Sequence, residues 1–156
     1  MQPIENYYKM VDNIITKLGV DPATCRGEQA GQWNLKKGSA SVWVDVWKLQ
    51  DQDYGYIQIM APITEIPVNN RDIFLTEVLE INHNLYGVGF TKYKEWLYLK
   101  SIRELEGLDE DEIMATFNRI GNYSDEYDDY FKNKYFGGSG QRDRKSTRLN
   151  SSHVSE

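Results

Sequence analysis

Two histidines and one cysteine are the residues of this chain that most often carry nucleophilic or metal chemistry. His83 lies in a segment with helical periodicity and His153 lies near the C-terminus, so they are far apart in the sequence. They provide no pair of metal ligands and no pair of nucleophile and base. We interpret His83 as a helix-surface or capping residue. Cys25 lies in a loop beside Arg26 without a histidine in sequence reach, and we interpret it as a bystander thiol.

An acidic run and a glycine pair are the other patterns that could do chemistry. Calcium loops place their ligands at alternating positions around a central glycine, whereas the run Asp125–Asp129 contains Tyr127 within a helical pattern. We interpret this run as a solvated helix face. Gly87 and Gly89 form a Gly-x-Gly, but no third glycine follows and the next residues resemble a strand, which argues against a phosphate-binding loop. The sequence therefore predicts a protein that is not an enzyme and has no metal site and no cofactor.

Length and charge limit the classes of protein that remain. The 156 residues are typical of one domain. Residues 1–136 contain 22 acidic and 14 basic side chains, a balance of −8 that argues against nucleic-acid binding. A single cysteine excludes an intrachain disulfide. No apolar run approaches the roughly 18 residues that cross a bilayer, and the first residues do not resemble a signal peptide. We expect a cytoplasmic protein that binds no membrane.

The C-terminal segment differs in composition from the rest of the chain. All 20 aromatic residues precede Gly137, and the next positions read Gly-Gly-Ser-Gly, as in flexible linkers. We therefore predict a folded domain at 1–136 and a flexible tail at 137–156. The string Asp143–Glu156 resembles translated vector read-through, so we interpret the tail as non-native. The alternative is a ligand peptide fused through the linker.

The elements that must position any site follow from hydrophobic periodicity. An amphipathic helix covers Ile4 to Leu18 and ends at Gly19. A second helix begins at Asn69 or Asn70, runs to about Leu85 and has so broad an apolar set that we expect it to be well buried.

A third helix begins at Asp109, with Glu112 three residues later as in a capping box, and Gly121 is a position at which it can bend. The predicted strands cover Gln32–Lys37, Ser41–Gln50, Tyr54–Ile63, Val88–Tyr93 and Trp96–Ile102. Short connections between them favour antiparallel pairing. The prediction is an α+β fold with a five-stranded antiparallel sheet, in the order α-β-β-β-α-β-β-α.

Both faces of the predicted strands are apolar. Val42, Val44 and Val46 point to one side of their strand, while Trp43 and Trp47 point to the other. Three helices leave two interpretations open. Either helices pack on both sides of the sheet, or a second polypeptide, a copy of the chain or a client, covers one face. We prefer the second, because aromatic surfaces suit the recognition of peptide segments, and an unpaired edge strand would add backbone hydrogen bonds.

Two stretches of sequence resemble a known family. The strand Ile57–Ile63 is followed by the helix Asp72–Asn82, and Val88–Phe90 is followed by Trp96–Leu99 and an acidic last helix. In the order of these elements and in their residue patterns, the chain resembles the YbjN family and the class I type III secretion chaperone-like (Tir chaperone) fold. The resemblance covers Ile4–Phe136.

The resemblance implies a non-catalytic domain that holds a polypeptide partner, as a chaperone or adaptor, and that forms a homodimer. By analogy, the residues implied for partner binding are Trp43, Trp47, Tyr54 and Tyr56. Those implied for the dimer interface are Phe74, Val78 and Leu85. The alternative function is an immunity or toxin-neutralising protein whose acidic surface binds a basic partner.

Overall fold

The computed structural model describes residues 1–137 and contains three α-helices and one five-stranded sheet in that range. The elements are α1 (Ile4–Lys17), β1 (Gln32–Lys37), β2 (Ala40–Lys48), β3 (Gly55–Glu65), α2 (Arg71–Asn82), β4 (Gly89–Tyr93), β5 (Trp96–Glu104) and α3 (Glu110–Tyr135). A 3₁₀ turn, Pro22–Thr24, lies between α1 and β1. The predicted α+β class and element order are confirmed. The predictions for the tail fall on residues 138–156 and lie outside the described range.

The sheet is antiparallel throughout, in the order β1-β2-β3-β5-β4. The chain leaves β3 through α2 and returns to the sheet at its edge as β4. A tight turn, in which Lys94 adopts a positive φ of 54°, then brings β5 back between β4 and β3. This order places β5 inside the sheet, between β3 and the edge strand β4.

The core lies between one face of the sheet and the helices. The inward side chains of β2 and β3, among them Val42, Val44, Ile57 and Ile59, join residues of all three helices in one cluster. The helix α3 lies across β2, β3 and β5, and α1 packs on α3 and β2. Within residues 1–137 the helices thus share one side, which we call the helical face, and the arrangement with helices on both sides is not found.

The helix α2 is less buried than its sequence predicts. Only Phe74 and Val78 are buried, whereas Ile73 is 61% exposed and Leu79 is 70% exposed. Asn70 occupies the N-cap position with a left-handed backbone, but its side chain makes no cap hydrogen bond. The helix ends at Asn82 rather than near Leu85, so the predicted C-terminal end was three residues too long.

Asn82, the last residue of α2, forms hydrogen bonds to the edge strand β4. The Asn82 side chain accepts a hydrogen bond from the Phe90 N–H (2.7 Å) and donates one to the Phe90 carbonyl oxygen (3.1 Å). Both outward backbone groups of Phe90 are therefore occupied. Sequence reasoning did not identify this contact, because it depends on where α2 crosses β4.

The third helix confirms the predicted cap and is continuous through Gly121. The Asp109 carboxylate accepts a hydrogen bond from the Glu112 N–H at 2.8 Å, as the capping pattern predicts. Gly121 does not interrupt the helix, which continues for 26 residues. A β-carbon at Gly121 would lie 2.1 Å from Cγ of Lys37, so the missing side chain allows β1 to approach α3 closely.

Candidate functional site

Aromatic side chains crowd the sheet face opposite the helices. The pairing register places on this side Trp43 and Trp47 of β2, Tyr56 of β3, Trp96 and Tyr98 of β5, and Tyr93 of β4. Tyr54, just before β3, contacts Tyr56. We call the surface formed by these seven side chains, together with Met60 and Ile102, the aromatic face. No helix of residues 1–137 packs on it, and its buried cluster is formed by strand residues alone.

The four residues predicted for partner binding lie on this face in two groups. The rings of Trp47 and Tyr56 are 5.9 Å apart, and those of Tyr54 and Tyr56 are 6.2 Å apart in an edge contact. Tyr54 is 39% exposed, and its two neighbours are half-buried. Trp43 lies deeper, in a buried cluster with Met60 and Tyr98. The structure therefore brings the four together, with three at one end of the face and Trp43 near its middle.

Three aromatic residues of this face were missed by sequence reasoning. Tyr93, Trp96 and Tyr98 alternate with inward residues, and that alternation is a signal of a shared face. Their proximity to Trp43, however, depends on β5 lying next to β3. The ring centroids of Trp43 and Tyr98 are 6.2 Å apart, although the two residues are 55 positions apart in sequence.

A row of polar side chains crosses the aromatic face. Gln32, Asp45 and Gln58 are partners in register on β1, β2 and β3, and Ile102 of β5 continues the row. All three polar side chains are buried, Asp45 and Gln58 with 1% exposure each. Nε2 of Gln58 has no hydrogen-bond partner in the described part of the chain. Buried polar atoms are normally paired, so this donor is an exception that needs an explanation.

Both edges of the sheet are partly occupied by the chain itself. At β1, the Gly27 N–H donates to the Gln32 carbonyl oxygen, and the Asn34 N–H donates to the Cys25 carbonyl oxygen, both at 2.7 Å. At β4, the Asn82 side chain makes hydrogen bonds to the backbone N–H and carbonyl oxygen of Phe90. A peptide that added itself as a strand would have to displace these contacts. The face is thus a better candidate site than either edge.

The predicted dimer residues lie mainly inside the protomer. Phe74 packs on Phe131 and Tyr135 of α3, with ring centroids 5.0 Å from each. Val78 is buried, and Leu85 is half-buried after the end of α2. The large apolar side chains that α2 exposes are Ile73 and Leu79.

A polar cluster fixes α2 to α3 beside that exposed surface. Glu77 accepts hydrogen bonds from the hydroxyls of Tyr130 and Tyr135 and from Nζ of Lys134, which is 3.1 Å away. Partial burial favours the neutral form of Glu77, but these hydrogen bonds outweigh it and hold the pKa of the carboxyl below its usual value. Burial, and then the hydrogen bond to Glu77, raise the pKa of Tyr135 to about 12.

The residues first considered for chemistry are dispersed. His83 is exposed at the end of α2, and Cys25 is buried while its neighbour Arg26 binds Asp12 at 2.9 Å. Asp125 accepts a hydrogen bond from Ser39 Oγ at 2.8 Å, which ties the acidic run to the β1–β2 turn. In residues 1–137, no three histidine, cysteine or acidic side chains are grouped so as to hold a metal ion. None of the helices described has the length and apolarity needed to cross a membrane.

Several solved structures share the fold. The crystal structure of the ExsC–ExsE complex matches with a TM-score of 0.61 and 11% identity, covering 86% of this chain and 97% of the other. The HopA1–SchA chaperone–effector complex matches at 0.59 and 11%, covering 78% and 92%. The ExoU–SpcU complex from the type III secretion system of Pseudomonas aeruginosa matches at 0.55 and 12%, covering 74% and 93%. Identities this low establish a shared fold only.

The sequence comparisons give the family. No curated protein matches the chain significantly. A family model described as "T3SS (YopN, CesT) and YbjN peptide-binding chaperone 1", TY-Chap1, matches residues 5–144, which is nearly the whole chain. This match confirms the resemblance to YbjN and to the secretion chaperones. The chain belongs to the TY-Chap1 family of peptide-binding chaperones.

Proposed function

We propose that this protein is a non-catalytic chaperone or adaptor that holds an extended polypeptide segment on its aromatic face. The observation that carries the proposal is the gathering of seven aromatic side chains on a sheet face that no described helix covers. Contiguous apolar surfaces of this kind mark interaction sites. The names of the structural neighbours support a protein partner, since one of them is a chaperone–effector complex. No cofactor is part of the proposal.

Within this face, the first contacts are assigned to the end formed by Trp47, Tyr54 and Tyr56. These side chains keep exposed area, and their edge and tilted ring contacts hold them in place. Trp43 supplies the floor at the centre of the face, where it packs with Met60 and Tyr98. Rigid aromatic side chains of this type dominate the binding energy of many protein interfaces.

Replacement of Trp47 by alanine tests the proposed face. We expect it to weaken binding of a peptide selected on the wild-type protein from a random phage-displayed library by at least about tenfold, because truncating an aromatic side chain that dominates an interface costs about 2 kcal/mol or more. Fluorescence anisotropy of the labelled peptide measures the affinity. Tyr86→Ala is the control, since Tyr86 is an exposed aromatic residue away from the face. Equal affinities of the wild type and Trp47→Ala would contradict the proposal.

We also propose that the protein forms a homodimer through the exposed side of α2. The support is the pair Ile73 and Leu79, which are 61% and 70% exposed although both are large apolar side chains on one helix. Phe74 and Val78 would then support the interface from within, by holding α2 on α3, and Leu85 would lie at its end. Exposed apolar side chains on one helix are a common basis for a two-fold interface.

The dimer is tested by light scattering. We expect a mass of twice the 18.2 kDa chain for the wild type and a single-chain mass for the double variant Ile73→Asp, Leu79→Asp, with little change in melting temperature because both side chains are exposed. Ile102→Asp, on the opposite side of the sheet, should remain dimeric. A wild type that stays at 18.2 kDa at high concentration would overturn the proposal.

Localisation, nucleic-acid binding and the domain boundary are further parts of the proposal. We assign the protein to the cytoplasm, and its acidic body supports the absence of nucleic-acid partners. The domain boundary after Phe136 stays a prediction, and the family match itself extends to residue 144. The family match gives no support to the immunity-protein alternative.

A further inference from the structure

We propose that an extended peptide adds as a short antiparallel strand to the part of β5 that β4 leaves uncovered, with an apolar side chain beside Ile102 and a lysine or arginine beside Glu104. This inference rests on the proposed function, and it names the stretch of backbone and the peptide chemistry that would hold the segment. It is carried by the unequal lengths of the two strands, by the hydrogen-bond pattern of the sheet and by the charge at the end of β5.

The strand β5 extends beyond its neighbour β4. It covers Trp96–Glu104, whereas β4 begins at Gly89, which pairs with Lys100. The chain reaches Gly89 from α2 through a turn in which Gly87 has a φ of +70°. On this side, no residue of the described range 1–137 pairs with Ser101–Glu104, although β3 pairs with the same residues on the other side.

The backbone groups of Ile102 point towards the uncovered side. Successive residues of an antiparallel strand bond alternately to its two neighbours. The Leu105 N–H donates to the Gly55 carbonyl oxygen at 3.0 Å, so the odd-numbered residues of β5 bond to β3 and the even-numbered ones face the side of β4. Neither the N–H nor the carbonyl oxygen of Ile102 has a hydrogen-bond partner within residues 1–137.

The next outward residue adds one more open group. The Glu104 N–H also lacks an acceptor in the part of the chain that the structure describes, while the Glu104 carbonyl oxygen accepts a hydrogen bond from the guanidinium group of Arg103. Two donors and one acceptor are therefore available to an added strand. The edges at β1 and β4, by contrast, bind the loop before β1 and the Asn82 side chain. Unpaired strand edges are the templates on which extended peptides add.

The open stretch borders the aromatic face. Ile102 belongs to that face and is 49% exposed. A peptide residue that exchanges both hydrogen bonds with Ile102 would place its own side chain on the same side of the sheet, about 5 Å from that of Ile102. Aromatic and β-branched side chains make the most favourable contacts across such a pair. The inference therefore assigns an apolar residue to this position.

Charge selects the residue two positions earlier in the peptide. Because the added strand runs antiparallel to β5, that residue lies opposite Glu104, whose side chain is exposed and forms no ion pair within residues 1–137. Opposite charges across a strand pair are stabilising. The balance of −8 in residues 1–136 also attracts a basic segment. Lys100 lies on the same side of β5, but Gly89 is its partner, so it does not face the added residues directly.

Hydrogen exchange followed by NMR locates the added strand. The amides of Ile102 and Glu104 should exchange faster in the free protein than those of Ser101 and Arg103, which bond to β3. A peptide selected on the wild type from a random phage-displayed library should slow exchange at Ile102 and Glu104 by at least about tenfold. The Lys92 amide, which faces outward from β4, is the control and should not change.

Two results of this experiment would overturn the inference. One is a complex in which exchange at Ile102 is unchanged. The other is protection of Ile102 in the peptide-free protein that increases with protein concentration, because it would assign this edge to a second copy of the chain.

Backbone changes in the peptide and in the protein test the hydrogen bonds separately from the side chains. N-methylation of the apolar peptide residue should weaken binding by about tenfold or more, whereas N-methylation of the next residue, whose N–H faces away from β5, should have little effect. Ile102→Pro removes the outward N–H and no ladder bond, so it should bind more weakly than Ile102→Ala, which keeps that N–H. If Ile102→Pro fails to fold, the two N-methylated peptides decide the question.

The sequences of the selected peptides test the charge and keep the two proposals separable. On the wild type we expect lysine or arginine two positions before an apolar residue, and on Glu104→Gln we expect that basic preference to disappear. Asp72→Asn, at an exposed acidic residue of α2, is the control and should select as the wild type does. Peptides that bind without the basic preference, or equally well after either N-methylation, would overturn this inference alone. No enrichment on the wild type would overturn the proposed function as well.

Discussion

Replacement of Gly31 by alanine is expected to lower the free energy of unfolding by about 2–5 kcal/mol. Gly31 has a φ of +85°, a conformation that costs a residue with a β-carbon about 1–2 kcal/mol. The added carbon would also lie 2.4 Å from the carbonyl oxygen of Val46 and 3.1 Å from the ring of Tyr8. Forcing such contacts apart costs a further 1–3 kcal/mol or so. The Gly31 carbonyl oxygen accepts a hydrogen bond from the Val46 N–H at 2.8 Å, so the displacement would strain that bond too.

A second glycine, Gly19, separates the effect of the positive φ from that of the steric contacts. Gly19 has nearly the same φ, +84°, but a β-carbon there would meet no atom within 4 Å. Gly19→Ala should therefore lose only the conformational part, about 1–2 kcal/mol. Urea denaturation of both variants measures the difference. Equal losses would show that the approach of Gly31 to β2 is not as close as described.

Gly31 illustrates why sequence patterns within one segment predict the helices and strands but not the contacts between distant segments. The helix that begins at Asp109 was predicted correctly, because its cap and its apolar period lie within one short segment. The tight approach of Gly31 to Val46 joins residues 15 positions apart and depends on how the loop folds back on β2. No spacing within the loop distinguishes that glycine from its neighbour Gly27.

The same limit applies to the aromatic face. Strand alternation alone assigned Trp43 and Trp47 to one side of β2. The contribution of Tyr98 required knowing that β5 inserts beside β3, and alternation within one strand does not reveal which strand lies next to it. Alternation therefore predicts the face of a single strand, whereas the extent of the surface is a property of the whole sheet.

The helix α2 shows a different ambiguity. Some apolar residues of α2 pack within the protomer and others remain exposed. Both groups consist of large apolar side chains, so the residue type alone does not tell them apart. Phe74 is buried by α3, while Ile73, one position earlier, points outward. Burial was predicted for the helix as a whole because hydrophobicity does not reveal which side meets the rest of the chain.

Phe131 is the side chain whose loss should most weaken the attachment of α2 and β4. It is fully buried, and its ring lies 5.0 Å from that of Phe74 and 5.8 Å from that of Phe90, so it joins α3 to both elements. Phe131→Ala should cost about 3–5 kcal/mol of unfolding free energy, the usual range for removing a buried phenylalanine and leaving a cavity. Urea denaturation measures the loss. Tyr86→Ala, at an exposed aromatic residue, should stay within about 0.5 kcal/mol of the wild type.

Hydrogen exchange of Phe131→Ala locates that loss. Because the Phe131 ring contacts Phe74 of α2 and Phe90 of β4 outside its own helix, amides of those two elements should lose protection through local opening at conditions where β1, β2 and β3 remain protected. If α2 forms the proposed dimer interface, the variant should also dissociate, while peptide binding on the aromatic face persists, since Trp47 and Tyr56 lie on the other side of the sheet. Equal loss of protection in β2 and α2 would mean that the two regions unfold as one unit, and the expectation that peptide binding persists in this variant would then be wrong.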